Sequence, residues 1–272
     1  MVNIVIVSHS ARLAEGVCEL ADQMVQGQVA LAAAGGIEDP EQTIGTDPMK
    51  VLAAIESVYS DDGVLVLMDL GSALLSAETA LDFLEPERKA NVRLCAAPLV
   101  EGAIAAAVQA MVGGSLDQIM QEALGALKAK NEQLKSEQAG TTAVLPTLDT
   151  AATEQIQLTI PNKLGLHARP AARFVQTANR FQAEIQVENK GKTANAKSIN
   201  QVATLNARQG DTITVQAAGP DAAEAVAAIQ ALAADNFGDR DEEGVAEVET
   251  AVPATPAKKG QLTGIPASTG IA

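Results

Sequence analysis

Residues 2–9, Val-Asn-Ile-Val-Ile-Val-Ser-His, read as one extended, buried strand that runs out on a histidine. A nearly unbroken β-branched run is what a strand covered on both faces requires. Residues 29–34, 64–68 and 92–96 have the same character. Between them apolar residues recur at helical spacing: Leu13-Val17-Leu20-Met24, Val51-Ile55-Val58 and Leu74-Leu75-Leu81. This βαβαβαβα alternation over residues 1–137 predicts a parallel sheet covered by helices. Sites in such sheets lie beyond the carboxyl ends of the strands. His9, the Gly35-Gly36 turn, Asp69 and Pro98 all fall there, so they are expected along one edge.

The rhythm stops over residues 136–154, which read as a linker. Beyond it the pattern changes. Ile156-Leu158-Ile160 alternates as a strand, residues 169–181 are helical, and Ile185-Val187 and Thr212-Thr214 begin further strands. Residues 198–207 form a short helix and 221–236 an Ala-rich amphipathic one. The order is βαββαβα with an antiparallel sheet, an α+β domain over 155–238. Residues 239–261, charged and then rich in Pro and Ala, read as a disordered linker, and 262–272 as the start of a further segment.

Composition excludes several classes. A net charge of −15 with four Phe, one Tyr and no Trp argues against nucleic acid. No run approaches the ~18 apolar residues of a membrane span, and the N-terminus lacks the basic start of a signal peptide. Cys18 and Cys95 form no CxxC pair and have no neighbouring His, so neither a metal nor a bound cofactor is expected. They fit a reducing, cytoplasmic compartment. The charge is uneven. Residues 1–137 hold 8 Lys+Arg against 20 Asp+Glu, and residues 155–238 hold 8 against 6. That contrast supports two domains and an electrostatic docking of basic surface near the second histidine on acidic surface near the first.

His9 and His167 are the two histidines of the chain, each at a strand-to-helix turn. A helix N-terminus offers free N–H groups and positive dipole, which suit a phosphate. An imidazole there is a competent phosphoryl acceptor at neutral pH, so two such sites suggest a relay. Asp69 orients the His9 ring, caps the following helix, or does both. Arg169, two residues after His167, either assists a bound phosphate or is a solvated side chain. Pro170 suits a first helical turn. Ser198 is an N-cap or a regulated hydroxyl.

Asn162-Lys163-Leu164-Gly165-Leu166-His167-Ala168-Arg169-Pro170-Ala171 closely resembles the active-site segment of HPr, the histidine-containing phosphocarrier of the bacterial phosphotransferase system. The resemblance covers 155–238. It implies an open-faced α+β sandwich, phosphorylation of His167 at Nδ1 with help from Arg169, and a regulatory region at Lys197-Ser198-Ile199. Residues 1–135 resemble the mannose-type EIIA domains, and most closely those of the DhaM family of phosphoryl donors to dihydroxyacetone kinase. The matching stretches are Val5-Ile6-Val7-Ser8-His9-Ser10, Ile44-Gly45-Thr46-Asp47, Met68-Asp69-Leu70-Gly71-Ser72-Ala73-Leu74-Leu75-Ser76-Ala77-Glu78 and Ala97-Pro98-Leu99-Val100-Glu101-Gly102. By that resemblance the first domain is dimeric, and phosphate from phosphoenolpyruvate passes through Enzyme I to His167, then to His9, then to ADP on the DhaL subunit. Free HPr is a further possible donor.

Residues 262–272 resemble the opening strand of Enzyme I and stop short of that family's phosphorylatable His. The expectation is either a fragment or dependence on a separate Enzyme I. Two other readings stay open: an EIIA–HPr fusion serving a sugar permease, and a phosphorylation-dependent regulatory module.

Overall fold

The run after Met1 becomes β1 (Asn3–Ser8), one of the two inner strands of a four-stranded sheet in the order β2-β1-β3-β4. The computed structural model describes residues 1–38, 43–136 and 153–238. The other strands are β2 (Leu31–Gly35), β3 (Val64–Met68) and β4 (Val92–Cys95), and every pairing is parallel. Both faces of β1 are covered, which is why it reads as an unbroken apolar run; Ile4 through Val7 are fully buried.

Helices α1 (Ala11–Val25), α5 (Leu99–Met111) and α6 (Leu116–Ser136) pack on one face. Helices α2 (Pro48–Ser57) and α3 (Ser72–Asp82) pack on the other, and a short α4 (Pro86–Ala90) leads into β4. The second cluster, Val5, Val7, Ile55, Val64 and Val66 among others, is built by the alternate side chains of the same strands. Gly35 is needed where β2 ends. A Cβ there would lie 2.8 Å from the Ser10 carbonyl oxygen, so only glycine lets the start of α1 come this close.

The second lobe runs β5 (Thr153–Thr159), α7 (Ala168–Ala178), β6 (Glu184–Asn189), β7 (Lys192–Asn195), α8 (Ile199–Thr204), β8 (Thr212–Ala218) and α9 (Ala222–Ala234). Its sheet is antiparallel, in the order β5-β8-β6-β7. The helices cover one face through Phe174, Val175, Val202, Ile229 and Phe237, with the two rings tilted and 6.3 Å apart. The expected βαββαβα order is the observed one. β5 begins at Thr153 and α6 continues to Ser136, so regular structure occupies both ends of the stretch read as a linker; its middle, and residues 239–272, lie outside the described residues.

The two lobes pack together, and one apolar cluster runs from the α1/α5/α6 face into the second lobe. Cys18 and Cys95 are free thiols. Burial, with Glu15 nearby, pushes the Cys18 thiol up to about 11. Among the described residues no helix is long and apolar enough to cross a membrane.

Candidate functional site

His9 follows β1 directly, and Ser10 caps α1 by accepting the Leu13 N–H. The ring is therefore held between a strand end and a helix start. Asp69 follows β3, the neighbouring strand, and its own N–H donates to the Val7 carbonyl at 3.1 Å. That pairing aims the carboxylate at the histidine. Asp69 Oδ1 sits 2.8 Å from His9 Nδ1, while Oδ2 accepts from the His9 N–H and the Ser8 hydroxyl, each at 2.9 Å. Three donors thus meet the two oxygens of one carboxylate. Asp69 does not cap α3. That position belongs to Gly71, at φ +70°, with no side-chain hydrogen bond. The first N–H groups of α3 are therefore left without a side-chain cap at the mouth of the site.

The other ring nitrogen has a partner that sequence reading passed over. Ser72 Oγ lies 2.8 Å from His9 Nε2. Thr46 Oγ1 donates to Ser72 Oγ at 3.1 Å, and Ser76 Oγ donates to Thr46 Oγ1 at 2.9 Å. The chain of three hydroxyls ends on Nε2. Thr46 is set by its neighbour Asp47, which caps α2 through the Met49 N–H. The Gly45 N–H fastens the same loop to the His9 carbonyl at 2.9 Å. With the Nδ1 proton bonded to the carboxylate, the Nε2 lone pair is left to accept from Ser72. Pro98, at the same sheet edge, starts α5 and makes no side-chain cap.

His167 is the N-cap of α7, in extended backbone, and its ring does not cap the helix. Its loop is pinned by the Leu166 N–H on the Ala207 carbonyl at 2.8 Å. Gly165, at φ +72°, permits that approach, since a Cβ there would stand 2.2 Å from the Ala207 oxygen. His167 lines a cavity of about 730 Å³ with Lys163 and Arg208 from its own lobe and Glu101 and Lys130 from the first. Lys130 donates to Glu101 at 2.7 Å and holds that carboxyl below its usual range. Arg169, the second residue of α7, is half-buried and lies outside the cavity lining. Arg173, one turn further along α7, donates to Gln26 of the first lobe at 2.8 Å. Ser198 caps α8 through the Gln201 N–H, and its hydroxyl donates to Glu122. Among the described residues no group of His, Cys, Asp and Glu is arranged to hold a metal ion.

These two histidine sites fall in the two parts of the chain that match known families. Residues 3–120 match the family model described as the fructose IIA component of the phosphotransferase system, and residues 154–235 match the HPr phosphorylation-site family. A phosphoryl donor subunit DhaM of Klebsiella michiganensis is 51% identical over 244 residues, covering 88% of this chain and 51% of that protein. A Listeria innocua DhaM is 39% identical over 122 residues, 45% of this chain and 96% of its own length. The phosphocarrier HPr of Cupriavidus necator is 44% identical over 85 residues, 31% of this chain and 96% of its own length. The chain spans about half the length of the Klebsiella protein. With an EIIA-type lobe around His9 and an HPr-type lobe around His167, the chain belongs to the DhaM family, the phosphoryl donor subunits of phosphoenolpyruvate-dependent dihydroxyacetone kinase.

Proposed function

We propose that the chain is a phosphohistidine relay, taking phosphate from Enzyme I at His167, passing it to His9, and delivering it to ADP on the DhaL subunit. The observation that carries this reading is the polarised His9 ring: Nδ1 on a carboxylate and Nε2 at the end of a hydroxyl chain. Phosphoryl transfer asks mainly for positioning and charge. The Nε2 lone pair forms the new P–N bond as the P–N bond at His167 breaks. The Nδ1 proton stays on the ring, and Asp69 stabilises the positive charge that develops there. Once Nε2 carries phosphorus it no longer accepts from Ser72. That hydroxyl then turns to a phosphoryl oxygen, alongside Thr46 and the uncapped N–H groups of α3. The return step to a nucleotide uses the same groups in reverse.

Arg169 is assigned to the phosphate at His167 and the first lobe to a homodimer, both on family resemblance. Ser198 is read here as an N-cap. The test is transfer of labelled phosphate from phosphoenolpyruvate with purified Enzyme I, without free HPr. The His9→Ala chain should label at His167 and fail to support DhaL–ADP. The His167→Ala chain should not label through its own carrier. Undiminished labelling of His167→Ala would overturn the order.

A further inference from the structure

Ser72, the partner of His9 Nε2, and Thr46, which donates to Ser72, belong to the α2/α3 layer. The second lobe rests on the opposite layer. Its α8 packs on α6, and its α7 packs on α1 and α5. His167 lines the same cavity as Glu101 and Ile104, in the opening turns of α5. His9 itself stands at the end of β1, between the two layers, and the groups that hold its Nε2 lie on the layer opposite the one against which the second lobe packs.

We propose that the α6–α8 seam is a latch that parks the second lobe in a position from which His167 cannot reach His9, and that transfer follows its opening. The proposal rests on the relay reading for its consequence, not for its geometry.

The centre of the latch is Glu122. Its Oε1 accepts from the Ser198 hydroxyl at 2.6 Å and from the Asn200 N–H at 3.1 Å, and its backbone carbonyl accepts from Asn200 Nδ2 at 2.6 Å. One residue of the first lobe thus takes three hydrogen bonds from the first turn of α8. Around it Ile119, Ala123 and Ala126 are buried in the same cluster as Ile199 and Val202. Gly125 faces Asn200 across the seam, and a Cβ built there would lie 3.4 Å from Nδ2, at van der Waals contact. A second point of contact pairs Arg173 with Gln26 and Gln176 with Gln28.

These contacts set a carboxylate against neutral donors and a guanidinium against an amide. Such bonds exchange readily for water when the lobes part, so the polar part of the seam suits a reversible latch, and the apolar contact between α6 and α8 is the surface that opening exposes. It also differs from the electrostatic docking that the charge distribution suggests. That mode would bring basic groups near His167 onto acidic surface around His9, which the parked position does not do.

The test uses the intact chain. Glu122→Lys removes the shared acceptor and faces the Asn200 donors with a cation. Losing hydrogen bonds to a charged group should shift the docked population by on the order of tenfold or more. Amides of α6 and α8 should then exchange hydrogen faster by a similar factor. Single-turnover transfer from phospho-His167 to His9 should quicken several-fold. In a second variant, Gly125→Cys with Asn200→Cys, oxidation should cross-link the seam and stop His9 labelling, and reduction should restore it. A cross-linked chain that still passes phosphate at the reduced rate would overturn the latch. So would a pair that fails to cross-link, or unchanged exchange in Glu122→Lys. Absence of label on His9 in every form would fall on the relay reading instead, with hydrogen exchange still reporting on the seam.

Discussion

Replacing Asp69 by Asn tests the polarised ring most directly, because shape is kept and only charge and acceptor count change. The carboxylate receives three donors: His9 Nδ1–H at 2.8 Å, and the His9 N–H and the Ser8 hydroxyl at 2.9 Å each. An amide offers one oxygen. If it stays on the backbone N–H and Ser8, its NH2 group confronts Nδ1, and the favourable response is the other imidazole tautomer. That tautomer puts a proton on Nε2 and removes the nucleophilic lone pair. If the amide flips instead, two donors lose their acceptor. A hydrogen bond to a charged group is worth about 1.5–3 kcal/mol, which at about 1.4 kcal/mol per decade is roughly a 10- to 100-fold slower transfer. The pair is half-buried, with side-chain exposures of 33% and 22%, so solvent screening favours the lower part of that range. The assay is quenched-flow transfer of labelled phosphate from the phosphorylated carrier to His9, with circular dichroism to verify the fold. A folded Asp69→Asn chain within twofold of the original rate would refute the polarisation argument.

Ser72→Ala, at an exposed first helical position, should leave stability unchanged and slow His9 phosphorylation about 2- to 10-fold, the worth of one neutral hydrogen bond; the same quenched-flow assay reads it. Gly165→Ala should destabilise the chain by about 2–4 kcal/mol in urea titration, because it adds a Cβ at φ +72° against the Ala207 oxygen. Asp221 accepts the Gln182 and Ala183 N–H groups at 2.7 Å each, and the Gln182 bond leads in lowering its pKa. A carboxyl lowered on folding contributes stability above its unfolded pKa of about 3.9 and loses it as pH falls through the lower folded value. Asp221→Asn should therefore be less stable than the parent at pH 7, and the gap in urea midpoints should narrow below about pH 4.

What the residues alone determined was local. Strand and helix periods gave the parallel α/β lobe and the βαββαβα order of the second, because side-chain periodicity follows directly from backbone geometry. They also set His9 and His167 at strand-to-helix turns, since a turn that begins a helix is written in a few adjacent residues. Asp69 could be narrowed to two roles, ring partner or cap. The choice required knowing that β1 and β3 are neighbours, a pairing that joins residues 60 positions apart.

Only the tertiary structure brought Ser72, Thr46 and Ser76 into line on Nε2. Serine and threonine near helix starts are ordinary caps by sequence, and their alignment depends on α2 and α3 sharing one face of the sheet. The same holds for Glu122, Ser198 and Asn200, which meet across separations of 76 and 78 residues. A hydrogen bond depends on distance in space to within a few tenths of an ångström. Local pattern carries no information on that scale for residues so far apart, so the site's chemistry at His9 Nε2 and the seat of the second lobe were decided by packing.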